Sequence, residues 1–150
     1  MESKIPPPFV VLIFAVLMWF LRAITPFLSI TLIFHLVLGI MIVLLGFSVE
    51  VAAILSLSKA KTTADPTHPK NASSLVTTGM YRFTRNPIYL GDFLILIGWA
   101  VYLSNLAALV VTPLFILYIN RFQIRPEETA MLELFGDQFA EFKSRVRRWI

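Results

Sequence analysis

Tyr81, Arg82, Arg85, Asn86, Tyr89 and Asp92 fall within one short stretch, ASSLVTTGMYRFTRNPIYLGD at 72–92. There an Arg-Asn-Pro-x-Tyr-x-Gly run leads into an apolar segment. Charged and hydrogen-bonding groups at a membrane boundary are costly unless something satisfies them. If Pro87 opens a helix, the first-turn amides are unpaired donors at a positive dipole end. Such an end suits a phosphate or a carboxylate. The tyrosine rings can stack on a flat heterocycle, and the Asn86 amide donates and accepts at once. The same residues would also serve as an interfacial belt anchoring a helix end. Spacing alone supports either reading.

A second group lies further on. Glu127 and Glu128 directly follow an apolar segment. Their carboxylates suit ribose hydroxyls or a cationic ligand, or simply a helix's first-turn dipole. Arg121 and Arg125 are four apart and share a helix face. They suit an acceptor carboxylate or phosphate, or plain anchoring at the basic side of a membrane. Glu50 interrupts an apolar run, which makes it a functional candidate by default, unless it only reaches the interface. Asp92 follows Tyr89 by about one helical turn and could face the same pocket. His35 suits a structural hydrogen bond.

These groups need a scaffold, and composition says which kind. The chain has 150 residues, 57% hydrophobic and 15% charged, with a mean hydropathy of +0.77. Soluble domains are about half apolar and a quarter charged, so the balance points to a membrane. There are no cysteines, which excludes disulfides and thiolate metal sites. No metal ligation is expected. Walker loops, G-x-G-x-x-G, H-E-x-x-H and G-x-S-x-G patterns are absent, and no strand pattern would build a soluble nucleotide fold.

Four apolar segments follow one another. Pro6-Pro7-Pro8 precedes the uncharged run 9–21, with Arg22 reaching back to the interface. Residues 27–58 form a second segment, longer than the ~20 residues a span needs, so it protrudes on one side. A polar loop covers 59–85. The third segment runs over 87–103, Ser104-Asn105 turns, and the fourth covers 106–119 with Pro113 inside. The last two are short. They cross with flanking residues, as a hairpin in thinned bilayer, or fold as a re-entrant pair.

Charge placement favours four crossings. Twelve of the thirteen Lys and Arg residues then share one side, leaving Arg22 alone on the other. That asymmetry places the amino terminus, the 59–85 loop and the carboxyl tail in the cytoplasm. In the tail, Pro126, Glu127 and Glu128 signal a helix start. Met131, Phe135, Phe139, Phe142, Val146 and Trp149 recur at helical spacing, with Lys143, Arg145, Arg147 and Arg148 on or near the opposite face. Gly136-Asp137 divides the tail into two helices, and its basic side suits anionic lipid. The expected fold is therefore all-α: an integral membrane bundle of about four spanning helices plus an amphipathic cytoplasmic segment. It reads as one domain over 1–150, with two spans in 1–58 and a core in 59–150.

The blocks LVTTGMYRFTRNPIYLG at 75–91 and RPEETAMLELFGDQFAEFKSRVRRWI at 125–150 resemble the isoprenylcysteine carboxyl methyltransferases and their bacterial relatives. Phospholipid N-methyltransferases share the same carboxyl-terminal core. The resemblance covers residues 63–149. It implies a small helical membrane enzyme that uses S-adenosylmethionine from the cytoplasmic side. Carried over by position, the cofactor would meet Ser73, Ser74, Leu75, Val76, Tyr81, Asn86, Pro87, Ile88, Tyr89 and Glu127. Glu128 is the second member of the paired acids. Arg121 and Arg125 are the candidates for the family's substrate-holding arginine, although Gln123 falls at the matching step. Asn86 replaces the histidine of the family's R-H-P-x-Y run, as in the N-P-x-Y form of phospholipid methyltransferases.

The implied reaction is methyl transfer to a lipid-like or lipidated acceptor entering from the bilayer, of the isoprenylcysteine carboxyl type. A phospholipid amine is the alternative, and a non-enzymatic protein that binds anionic headgroups is a further one. Nucleic acid is not an expected partner. Methyl transfer from a sulfonium is an in-line displacement that needs no covalent protein nucleophile. A carboxylate acceptor is already nucleophilic. An amine must first lose a proton, for which Glu50, Asp92 or Glu128 could serve.

Overall fold

The computed structural model describes residues 5–30, 33–62 and 73–150. Lys4, His68, Lys70 and the middle of the polar loop, residues 63–72, lie outside them. The described chain is helical: α1 Pro7–Ile24, α2 His35–Lys59, α3 Pro87–Leu103, α4 Leu106–Ile119 and α5 Arg125–Arg145. Each start has a local cause. Proline stands in the first turn of α1, α3 and α5, where its missing N–H costs nothing. Asn105 caps α4, its side chain accepting from the amides of Ala107 at 3.0 Å and Ala108 at 3.2 Å.

α2 begins later than the apolar pattern suggests. Pro26–Leu28 form a short 3-10 turn, and Ser29 then bridges to Asn105. The Ile30 amide donates to the Ser104 carbonyl at 2.8 Å. These contacts take residues 29 and 30 out of helical conformation. Asn105 Nδ2 also donates to the Thr25 carbonyl at 2.9 Å. The end of α1 and the α3–α4 turn are thereby tied together at one end of the bundle.

Three helices share the core. Val10 and Met18 of α1 meet Leu96, Ala100 and Leu103 of α3, and Ala108, Val111, Phe115 and Ile119 of α4. The Trp99 indole donates to the Ala15 carbonyl at 3.0 Å, and Phe14 stacks edge-on against Phe115. α2 packs on α3 instead. Its outer face is apolar and exposed, including Met41, Leu44, Leu45 and Val51. An apolar surface of that extent belongs in lipid. α1, α2 and the helix that begins with α4 are long and apolar enough to cross a membrane, and α3 is a shorter apolar helix. This is an all-α integral membrane bundle.

α2 and α3 approach unusually closely. A Cβ added at Gly46 would stand 2.8 Å from the Gly91 carbonyl, and one at Gly98 would stand 2.7 Å from the Gly39 carbonyl. Small residues at these two levels let the backbones touch. The contact fixes the register of α2 on α3, and that register matters at the site.

Candidate active site

The start of α1, the end of α2, the start of α3 and the start of α5 meet at the other end of the bundle. They enclose a cavity of about 390 Å³, a size typical of small-ligand sites. Pro7 and Pro8 line it from α1, and Glu50, Ile54 and Leu57 from α2. The loop contributes Thr62, Ser74, Leu75, Val76 and Tyr81. α3 and its lead-in contribute Arg85, Asn86, Pro87, Ile88, Tyr89 and Asp92. α5 closes it with Glu127, Glu128, Met131, Phe139 and Phe142.

The loop is held where it re-enters the described chain. Ser73 Oγ donates to the Lys61 carbonyl at 3.0 Å, and Ser74 Oγ to the Ala60 carbonyl at 3.1 Å. Gly79 adopts a φ of +62°, a conformation that costs glycine little. The chain then makes a 3-10 turn over Gly79–Arg82 that brings Tyr81 to the wall. Asn86 is the N-cap position of α3, and the Leu90 amide donates to its carbonyl at 3.0 Å. The Ile88 and Tyr89 amides before it have no intrahelical acceptor, and both residues line the cavity.

The two polar groups of the sequence touch here. The Tyr89 hydroxyl donates to Glu127 Oε1 across 38 residues of chain. Burial pushes the Glu127 carboxyl up to about 7; the Tyr89 bond opposes that shift and the Glu128 charge adds to it. Burial and the Glu127 charge also raise the Tyr81 phenol, which therefore stays neutral.

Glu128 has a different environment. Arg85 Nη2 donates to its Oε1 at 2.7 Å, and Arg148 Nη2 to its Oε2 at 2.6 Å. Burial alone would raise this carboxyl, but the two guanidiniums outweigh it and hold Glu128 below the usual carboxylate range. Arg85 Nη1 donates to the Lys143 and Val146 carbonyls at 3.0 and 2.6 Å. The Arg85 amide reaches Arg147, while Asn86 Nδ2 and Thr84 Oγ1 both donate to the Arg148 carbonyl. The carboxyl-terminal strand of residues is thus strapped across the entrance to α3. Trp149 completes the strap, with its ring against Phe93 and its indole on Asn120.

A family model described as phospholipid methyltransferase matches residues 34–138. The chain belongs to the phospholipid methyltransferase family. It is similar to the protein-S-isoprenylcysteine O-methyltransferase of Saccharomyces cerevisiae, 33% identical over 113 residues, 73% of this chain and 46% of that one. The Mus musculus protein of the same name is 29% identical over 108 residues, 72% of this chain and 38% of that one. A Haemophilus influenzae protein without a stated activity is 44% identical over 63 residues, 42% of this chain and 100% of its own length. The chain spans less than half the length of these two O-methyltransferases.

Within this family member, Ser74, Leu75, Val76, Tyr81, Asn86, Pro87, Ile88, Tyr89 and Glu127 line one cavity, and so does Glu128. Ser73 does not; it is exposed and stitches the loop to α2. Arg121 and Arg125 are exposed and lie outside the cavity wall. The cation in the wall is Arg85. Gln123 is buried beside Ile124, and its Nε2 donates to the Ile5 carbonyl at 2.7 Å. Glu50 and Asp92 both reach the cavity. Phe139 and Phe142 are buried and face inward as part of its wall. The apolar stripe of the tail therefore covers the site, and Gly136, with a φ of +49°, breaks the helix as expected.

Proposed function

We propose that this chain uses S-adenosylmethionine to methylate a lipid-like or lipidated acceptor at the cytoplasmic face of a bacterial inner membrane. The observation that carries this reading is the Tyr89–Glu127 hydrogen bond in the cavity wall, which joins the two polar blocks of the sequence. The donor set fits the cofactor. Arg85 Nε is buried and unpartnered among the described residues, and suits a carboxylate. Glu127 suits ribose hydroxyls, and Tyr81 and Tyr89 offer faces for a flat base. The bound cofactor would supply an electrophilic methyl group on a sulfonium.

The protein's work is alignment and exclusion of water. Holding two reactants in line is worth ~7–11 kcal/mol of barrier, enough to make a protein nucleophile unnecessary. Glu128 positions Arg85 through the ion pair, and the carboxyl-terminal strap positions both. Ile54 lines the cavity and is half exposed on the outside of α2, which gives an apolar tail a route in from lipid. Arg121 and Arg125 lie outside the wall and suit the anionic headgroup layer, and the cavity's cationic role falls to Arg85. The twelve-to-one distribution of Lys and Arg supports the cytoplasmic orientation.

The relatives' names speak for the carboxyl of an isoprenylcysteine as acceptor, and the family's description for a phospholipid. Calorimetry in detergent with S-adenosylhomocysteine tests the shared part of the proposal. Saturable binding is expected, weakened about tenfold or more in Tyr89→Ala and Glu127→Ala, as for loss of a charge-assisted hydrogen bond. Unchanged binding in both variants would overturn the site.

A further inference from the structure

We infer that Gln123 is a positioning residue for methyl transfer, one that seats the start of α1 as a donor-free apolar wall for the acceptor's hydrocarbon chain. The inference rests on the reading of the cavity proposed above. Gln123 is 1% exposed and belongs to the π-helical turn Asn120–Ile124. Its Nε2 donates to the Ile5 carbonyl at 2.7 Å, although 118 positions separate the two residues. A buried amide is costly unless it is bonded, so this donor fixes where the amino-terminal segment lies. Two residues beyond Ile5 the chain enters the cavity wall with Pro7 and then Pro8. In the other direction, Gln123 precedes by four residues Glu127, which also lines the cavity. The bond therefore joins the α1 wall to the α5 wall. A π turn re-aims side chains by its extra residue and recurs at functional sites.

The starts of α1 and α3 offer this cavity opposite chemistry. α3 brings the Ile88 and Tyr89 amides, which lack intrahelical acceptors. α1 is led in by Pro6, Pro7 and Pro8, three successive residues without an N–H. The next amide, that of Phe9, already donates to the Pro6 carbonyl at 3.0 Å. A helix start ordinarily presents free amides to an anion, and residues 6–9 present none. The polar parts of a nucleotide find no partner on this wall. A run of CH2 groups gives up no hydrogen bond by lying against it.

The same wall reaches the lipid. Pro8 lines the cavity and is also exposed. Leu12 follows it by four residues on the same helix face and is 59% exposed, and Phe9 is 60% exposed. Apolar surface thus runs unbroken from the outer side of α1 into the cavity. Gln123 touches neither ligand in this arrangement. It acts through the Ile5 carbonyl, by keeping Pro7 and Pro8 in place.

The test uses the full chain in detergent with two variants. Gln123→Met keeps the side-chain length and loses the donor. Pro8→Ser leaves the Gln123 bond alone and puts an amide and a hydroxyl into the wall. Calorimetry with S-adenosylhomocysteine should find both variants within about threefold of wild type. Transfer of labelled methyl from S-adenosylmethionine is then followed against increasing amounts of a total bacterial membrane extract. The half-saturating amount should rise about tenfold in each variant, with the maximal rate within about threefold of wild type, as for loss of uniform binding. The double variant should lose little more than either single one, because both act on one wall. A merely structural role would lower cofactor binding, maximal rate and acceptor use together. If Gln123→Met does not fold, Pro8→Ser decides alone. Wild-type half-saturation in Pro8→Ser, or a loss of S-adenosylhomocysteine binding as large as the loss of acceptor use, overturns the inference and leaves the methyltransferase reading standing. A wild type that binds no S-adenosylhomocysteine, or labels nothing in the extract, overturns both.

Discussion

Replacing Glu128 with Ala should destabilise the protein far more than replacing Arg148, although the two form one network. The Arg85 and Glu128 side chains are 8% and 11% exposed, and the Arg148 side chain 30%. Removing one partner of a buried pair costs ~3–5 kcal/mol, because the other charge stays buried and unpaired. Arg85 keeps its two carbonyl acceptors, which puts Glu128→Ala near the lower end, about 3 kcal/mol. Arg148→Ala leaves Glu128 paired with Arg85 and removes a partly solvated partner, so it should cost about 1 kcal/mol. For a chain of this length, 3 kcal/mol corresponds to a loss of about 6–12 °C in melting temperature. Circular dichroism melts in detergent read both values. A double-mutant cycle of Arg85→Ala with Glu128→Ala should return a coupling of ~1–3 kcal/mol. The sign with pH follows from the depressed Glu128 carboxyl. Its stabilisation is present at neutral pH and is lost as the pH falls below the carboxylate range. If Glu128→Ala melts within about 1 °C of wild type, or Arg148→Ala costs as much, the buried-pair reasoning is refuted.

Three further outcomes follow from the same structure. Because Glu127 titrates at about 7 in the protein alone, and the proposal needs its carboxylate form, S-adenosylhomocysteine affinity should rise from about pH 6 to about pH 8 and then level off. Calorimetry on Glu127→Gln should show weaker binding with no such slope, and a slope of opposite sign in wild type would count against the assignment. Gly98→Ala would set a Cβ 2.7 Å from both the Gly39 carbonyl and Val43 Cγ2, so a loss of ~1–3 kcal/mol is expected from melts. Asn105→Ala removes the α4 cap and the bond to Thr25, which should cost about 1–2 kcal/mol by the same measurement.

Much of the site was legible because its chemistry is concentrated in two short windows. Pro87 marks a helix start whatever packs around it, so the run from Asn86 to Tyr89 had to stand at the mouth of α3. The spacing of Phe139 and Phe142 required a buried face, and that face is buried. What the face covers was not legible, because amphipathic spacing does not distinguish a lipid surface from a protein cavity. The meeting of Glu50 and Asp92 in one cavity wall was hidden for a related reason. Each acid is readable as a candidate, but their meeting depends on the α2–α3 register. That register is set by Gly39, Gly46, Gly91 and Gly98 acting in pairs across the interface. The break of α2 before His35 depends likewise on Ser29 and Ile30 finding partners at Asn105 and Ser104.

The arginines teach something about helical arithmetic. Ile119, Gln123 and Glu127 are spaced by four, and in the structure Ile119 and Gln123 are buried and Glu127 lines the cavity. Arg121 and Arg125 share that spacing but are offset by two residues, about 200° around a helix. A continuous helix cannot aim both sets into one pocket. The α4–α5 connection stays helical throughout, with one π-helical turn over Asn120–Ile124 in which the Arg125 amide bonds back to the Asn120 carbonyl. The wider turn lets Gln123 and Ile124 both be buried, at 1% and 0% exposure, without turning the arginines inward. Once Glu127 is accepted as a cavity residue, periodicity alone turns Arg121 and Arg125 outward. The cation in the wall then comes from another element: Arg85, on the approach to α3, lines the cavity and pairs with Glu128.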